Sequence, residues 1–272
     1  MYLRQGLGTI VRITIGAVDN PSASSLKTLV DNGLGFAMQH FDRRSPNSEI
    51  SMLARSSGLH RVSRALWMVL AISQTVCEAT DGIFNVAYQS KGLKSGVDGC
   101  FRYVLDKPWT VSIEKNTRLD LEGIAKGWVI GRIANRLKAL GYRHFMVEIG
   151  GDIVIGKGIS GPWHIGIETP DKDHRGSVAI LREENTSVFT SGTYNRGAHV
   201  FDLKTGKYPV RRYSVTVRGP DPAISDALAT AALISGPGAG YYKRFPAYAF
   251  VFAGSDGLLD SGGLGFDEIE FP

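Results

Sequence analysis

Cysteine is scarce in this chain of 272 residues, with only Cys77 and Cys100. No Cys-x-x-Cys pair and no Cys/His cluster has zinc spacing, so a zinc site is excluded. Cys77 falls in an apolar, helix-like stretch, where a buried free thiol is the expectation. No window approaches eighteen apolar residues, which excludes a membrane-spanning helix. Lys and Arg never form a run of five, nor a basic stripe interleaved with aromatics, so nucleic-acid binding has little support. The first residues, MYLRQGLGTIVRI, lack an apolar h-region and a lipid-attachment cysteine. The expected compartment is therefore the cytoplasm, with an exported form that has lost its leader as the alternative. Internal repeats, low-complexity tracts and linkers are also missing.

What is present suits a large core. Apolar residues make up 43% of the chain and the formal charge is +5, a mild excess compatible with an anionic ligand or with a solvated surface. A chain of this size fits one large domain or two small lobes. Thr9–Ile15 alternates as a strand does, and Ser24–Phe41 and Ser63–Ala79 carry helical stripes with serine caps. Phe145–Ile155 reads as two strands broken at Gly150-Gly151-Asp152. Further strands are expected at His164–Glu168, Ser177–Leu181, Ser187–Thr190, Val200–Leu203, Tyr213–Arg218 and Ala247–Phe252. Ser225–Ser235 reads as a short alanine-rich helix capped by Ser225 and stopped at Gly236-Pro237. Many strands and four helices without strict alternation give an α+β class.

The stretch Leu119–Leu140, LDLEGIAKGWVIGRIANRLKAL, organises the rest. Its apolar residues Ile124, Trp128, Ile130, Ile133 and Leu137 follow one helical face. Asp120 is the expected N-cap, with Gly123 and Gly127 holding the first turn open and Gly141 closing the helix. A helix start with Lys126 in it offers N–H groups and positive charge to a phosphate. Asp226 and Thr230 lie four apart on the short helix and project from one face, supplying hard oxygens that suit magnesium.

The order of motifs adds a family. D-L-x-G-I-A-K-G before a helix resembles the central motif of the ApbE-type FAD:protein FMN transferases. The resemblance continues in order through Leu7-Gly8-Thr9, FDRRSPNSEIS from Phe41, TDGIF from Thr80 and EIGGDIVIGKG from Glu148. PWHIGIETP from Pro162, TSGTY from Thr190, HVFDLKTGKYP from His199 and SDALATAALISG from Ser225 complete it. It implies two sheet-and-helix lobes in one compact ApbE-like body, with the flavin site between them. It implies magnesium held by Asp226, Thr230 and the Gly123 carbonyl, and FAD contacted by Ile83, Phe84, Asn85, Asp120 and Lys126. Ser191 and Thr193 shape the same pocket in this reading, and Val200 gives it a backbone contact. His199 stands beside the flavin, either as a general base or as a pocket wall. The other five histidines have no assigned role.

The implied reaction moves FMN from FAD to a serine or threonine hydroxyl of a target flavoprotein and releases AMP. The partners are thus FAD, Mg²⁺ and an acceptor flavoprotein. Water in place of the hydroxyl gives FAD hydrolysis to FMN and AMP. Departures from the family pattern occur at Asn85 and Thr193, where aspartate is usual, at Gly131, and at Arg44 in place of a tyrosine. The changes at Asn85, Gly131 and Thr193 motivate a non-catalytic FAD carrier or sensor as the alternative.

Overall fold

An eight-stranded antiparallel sheet carries the fold, with helices on one face and a small sheet over part of the other. The computed structural model describes residues 1–6, 9–16, 22–93, 96–171, 176–193, 197, 200–255, 257–262 and 269–270. In chain order the elements are β1 (Tyr2–Gly6), β2 (Thr9–Ile15), α1 (Ala23–His40), α2 (Glu49–Leu53), β3 (Gly58–Arg61), α3 (Arg64–Ala79), β4 (Tyr103–Leu105) and β5 (Thr110–Ile113). There follow α4 (Ala125–Ala139), β6 (Phe145–Ile149), β7 (Asp152–Ile155), β8 (Trp163–Glu168), β9 (Ser177–Glu183), β10 (Ser187–Gly192) and β11 (Tyr213–Gly219). The last elements are α5 (Pro222–Ser235), β12 (Ala249–Gly254), β13 (Gly257–Gly262) and β14 (Ile269–Glu270). The large sheet has the order β1-β2-β6-β7-β10-β11-β12-β13, and two three-stranded sheets run β14-β9-β8 and β3-β5-β4. The class is α+β, as the sequence pattern implies.

Alternation along the strands decides which face is which. Val11 and Ile13 of β2 and Phe145, Val147 and Ile149 of β6 are buried with the helices in the main core. Their neighbours Ile10, Arg12, Met146 and Glu148 lie on the opposite face. β12 is buried throughout because its two faces serve two cores. Phe250 and Phe252 join the helix side, while Val251 and Ala253 pack with Ile165, Ile167, Ala179 and Leu181 of β8 and β9. Each such aliphatic side chain contributes roughly 1.5–3 kcal/mol through burial.

Within the helical layer α4 lies between α1 and α5. Its Val129, Ile130, Ile133 and Leu137 are buried. Trp128 stacks on Phe36 at 5.5 Å and meets Phe41 edge-on at 5.3 Å. Gly127 is where α4 touches α5 most closely. A Cβ there would stand 2.2 Å from the Pro222 carbonyl oxygen and 2.7 Å from Asp226 Cβ.

Several local expectations are corrected. Asp120 does not cap α4. Its Oδ1 accepts from Glu122 N at 3.0 Å, which makes a local turn, and the helix starts only at Ala125 after Ile124. Gly127 does not open the first turn but allows helix contact. Ser225 does not cap α5, which begins earlier, at Pro222. Asp221 caps it by accepting from Ala223 N and Ile224 N at 2.9 and 3.1 Å. Ser225 is buried in the second turn, 2.9 Å from Ser187 Oγ. Val200–Leu203 is no strand, because Asp202 gathers Lys204 N and Thr205 Oγ1 into a turn that bridges to Lys207. The strand expected at Ala247–Phe252 runs Ala249–Gly254. Cys77 is no free thiol: it is joined to Cys100, their Cα atoms 5.7 Å apart. Two apolar segments meet there in three dimensions, which a separation of 23 residues does not reveal. Ser63 does cap α3, accepting from Leu66 N at 3.1 Å, and Gly141 follows α4 at φ +91°.

Candidate active site

A cavity of about 840 Å³ opens between the N-terminal ends of α4 and α5, the segment 83–88 and the outer face of the large sheet. That volume falls in the range of small-molecule and cofactor sites, roughly 300–1,000 Å³. Ile83, Phe84, Asn85, Asp120, Gly123, Lys126, Ser191, Val200, Asp226 and Thr230 all line it. Thr193 does not: it is buried, and its hydroxyl donates to Arg211 O at 2.8 Å and accepts from Arg211 N at 3.1 Å. His199, like Leu7, Gly8 and Tyr194, lies outside the described residues.

The two helix starts are tied to each other. Asp226, on the first turns of α5, accepts from Gly127 N in the first turn of α4 at 2.8 Å. One of the N–H groups left over at the α4 terminus is thus satisfied from a neighbouring helix rather than from its own N-cap. Thr230 is one turn further along α5, and a Cβ on Gly123 would lie 3.1 Å from its Oγ1. Carboxylate, hydroxyl and the Gly123 segment therefore meet at one end of the cavity. Among the described residues no three His, Cys, Asp or Glu side chains converge. The side-chain oxygens that Asp226 and Thr230 bring there are one carboxylate and one hydroxyl, hard donors of the kind magnesium takes.

Beside this end sits a second charged pair. Lys126 is ion-paired with Asp152, which is 2% exposed. Asp152 Oδ1 also accepts from Thr190 N at 2.9 Å. The Gly150-Gly151 turn before β7 and the second residue of α4 thereby meet. Asp120 is likewise buried, at 4% exposure, and heavily engaged. Tyr88 Oη donates to it at 2.9 Å, Gln89 Nε2 at 3.2 Å and Arg43 Nε at 2.9 Å. Burial first, and then the Asp120 charge, raise the Tyr88 phenol well above its usual value of 10, so it remains a donor. Phe201 stacks on Tyr88 at 5.9 Å and adds an aromatic wall.

The segment after Thr80 is held from several sides. Thr80 Oγ1 accepts from Phe84 N at 3.1 Å and donates to Val76 O at 2.7 Å. Gly82 takes φ +80°, and a Cβ there would lie 2.3 Å from Gly96 O. The Cys77–Cys100 bond closes the same loop. Asn85 ends up 7% exposed with its Oδ1 accepting from Ala87 N at 2.8 Å. Among the described residues its Nδ2 has no hydrogen-bond partner. A buried donor left open on a cavity wall is costly unless a ligand acceptor meets it.

Sequence reasoning passed over Arg43, Tyr88, Asp152 and His164, all of which act at or line this site. Asp152 was within reach, since it ends the Gly-Gly-Asp turn. Arg43 adjoins Arg44, whose guanidinium meets Asp42 at 3.3 Å and is mostly exposed. Tyr88 lies in a stretch with no periodicity, and only the fold brings it to Asp120.

Comparison with known proteins adds the following. The model of the ApbE family matches residues 95–244, more than half of the chain. A protein of Haemophilus influenzae named FAD:protein FMN transferase is 37% identical over 131 residues, 43% of this chain and 38% of that protein. One of Vibrio cholerae with the same name is 37% identical over 131 residues, 43% of this chain and 39% of its own length. The matched region thus spans about two fifths of these relatives. A solved structure, the flavin transferase ApbE from Vibrio cholerae, superimposes with a TM-score of 0.81 at 22% identity, covering 97% of each chain. That likeness concerns the fold.

Proposed function

This chain belongs to the ApbE family, and from that premise we propose that it transfers FMN from FAD to a serine or threonine hydroxyl of an acceptor flavoprotein. The observation that carries the proposal is the convergence of Asp226, Thr230, Gly123 and Lys126 on one cavity of about 840 Å³. The whole chain, residues 1–272, is read as one ApbE-like domain acting as a unit.

In this reading FAD lies in the cavity with its pyrophosphate toward the starts of α4 and α5. Asp226, Thr230 and the Gly123 carbonyl would hold magnesium, which when bound neutralises phosphate charge. Lys126 faces the same oxygens and lends them a full positive charge, with Asp152 fixing its position. Asp226 also fixes α4 through Gly127 N, so the two helix starts move together. Tyr88, Gln89 and Arg43 hold Asp120 in place, and the open Asn85 amide donates to a flavin acceptor atom. Phe84, Val200 and Phe201 exclude water from the ring end.

The balance of the reaction is simple. The acceptor oxygen forms a bond to the FMN phosphorus, the bond from that phosphorus to the bridging oxygen breaks, and AMP leaves with that oxygen. The hydroxyl proton passes to a base, the role proposed for His199. Water in place of the hydroxyl gives FMN and AMP.

The compartment expected from the sequence is the cytoplasm, with an exported form as the alternative. The Cys77–Cys100 bond supports that alternative, since such bonds persist in oxidising compartments. Among the described residues no helix is long and apolar enough to cross a membrane.

The test is AMP release from FAD with Mg²⁺, compared between the parent and Asp226→Ala. The expected result is metal-dependent release that the variant loses while its FAD-free fold persists by circular dichroism. Tight FAD binding with no AMP in the parent would favour the carrier reading, and unchanged release in the variant would remove Asp226 from the metal site.

A further inference from the structure

β8 pairs on one side with β9, in antiparallel register from Trp163↔Glu183 to Glu168↔Ser177. Among the described residues no strand pairs with its other side. Its side chains alternate: Ile165 and Ile167 are buried against the large sheet, while His164, Gly166 and Glu168 point outward. Yet all five residues, His164–Glu168, line the same cavity as Lys126 and Asp226. Side chains on opposite faces of a strand cannot share one cavity through their tips. What the five have in common is the strand's edge, which must face the cavity with its unpaired N–H and C=O groups. At about 3.3 Å per residue this edge is roughly 17 Å long.

The edge has a register shift between Ile167 and Glu168 and the charge of Glu168 at one end, but lacks the other usual protections. Trp163–Glu168 contains neither proline nor lysine, and Gly166 leaves its middle without a side chain. Beside it the outer face of β2 and β6 provides a floor, with Ile10 56% exposed at one end, Met146 opposite Thr14 at the other, and the Arg12–Glu148 pair at 3.1 Å between them. The edge is also polar end to end. His164 stands opposite Arg182 at one end, and Glu168 marks the other.

We propose that the acceptor protein docks here, as an extended segment added to β8 that carries its serine or threonine into the cavity. The proposal rests on the transferase reading above. FAD has no series of amide groups to satisfy a strand edge of this length, whereas the second substrate of that reaction is a polypeptide. Strand addition reads the backbone and leaves alternate side chains facing the floor of Ile10 and Met146.

The experiment uses an array of synthetic decapeptides, each with one central threonine and varied flanks, incubated with the full chain, FAD and Mg²⁺. Transferred FMN is read by mass spectrometry. The best acceptor peptide is then resynthesised with one backbone N-methyl group at a time. Strand pairing predicts an alternating pattern, with transfer falling at least tenfold at every second position and little between. FAD hydrolysis without peptide stays unchanged. Amide exchange at 164–168 should slow on adding the peptide and not on adding FAD alone. Uniform sensitivity, no sensitivity, or unchanged exchange at 164–168 would overturn the docking strand. So would an array with no FMN acceptor while AMP release from FAD continues. If neither AMP nor FMN-peptide forms although FAD binds, the transferase reading fails and this proposal falls with it.

Discussion

Replacing Gly127 with alanine tests how the two helix starts are joined. The new Cβ would lie 2.2 Å from the Pro222 carbonyl oxygen, more than an ångström inside ordinary contact, and 2.7 Å from Asp226 Cβ. Neither neighbour is the loose end of a flexible side chain, so α4 and α5 must separate. Overpacking of this kind costs roughly 1–3 kcal/mol. Separation also stretches the 2.8 Å bond from Gly127 N to the Asp226 carboxylate, a charge-assisted bond that contributes about 1.5–3 kcal/mol. Alanine returns about 1 kcal/mol of helix propensity. The net expectation is a loss of about 1.5–5 kcal/mol, read from the urea midpoint at constant m-value. FAD affinity and AMP release should fall with it, because Asp226 moves. Gly131→Ala is the control on the same helix: its Cβ would meet only the Pro222 ring, at 3.1 Å from Cγ, and the effect should stay within about 1 kcal/mol. Equal effects of the two substitutions, or a Gly127→Ala protein with parental stability and turnover, would refute the reasoning.

Three further outcomes are expected. Lys126→Met combined with Asp152→Asn, which removes the buried pair without stranding a charge, should weaken FAD about 10–100-fold and riboflavin little, since only FAD carries the pyrophosphate; equal losses in calorimetric titration would mean that Lys126 does not face phosphate. Cys77→Ser should lower stability by about 3 kcal/mol in chemical unfolding, the chain-entropy value for a loop of this length, and thiol titration of the unreduced parent should find no free cysteine. Burial raises the phenols of Tyr88, Tyr103, Tyr213, Tyr241 and Tyr248, and that of Tyr242 to about 12. The unfolded chain then loses these protons first, so stability should hold up to about pH 10 and fall beyond it, by about 1.4 kcal/mol per pH unit for a fully buried group such as Tyr103; a urea midpoint that stays level to pH 11 would contradict this.

Periodicity and local chemistry made much of the fold legible. The stripe of α4, the serine cap of α3 and the Gly150-Gly151 break between β6 and β7 are all properties of neighbouring residues, and they appear where expected. The errors came where a distant partner decides. α4 is capped from α5, 99 residues away, so the nearby Asp120 looked like the cap. The disulfide joins segments with no spacing signal, and the turn at Asp202 overrides the apolar pair Val200-Phe201. For the site, the ordered motifs pointed to Gly123, Lys126, Asp226 and Thr230, which line one cavity, but placed the starts of α4 and α5 at the wrong residues. They gave no sign that Lys126 would need Asp152, or Asp120 would need Arg43 and Tyr88, because those pairings depend on sheet register and loop closure.

The central claim is the formation of a covalent FMN ester. The most direct measurement is the intact mass of an acceptor flavoprotein incubated with this chain, FAD and Mg²⁺, followed by fragmentation to locate the change. The account predicts a mass increase of one FMN ester on a single serine or threonine, with one AMP released per ester and none formed with Asp226→Ala. AMP release from FAD with the acceptor left at its original mass would contradict it.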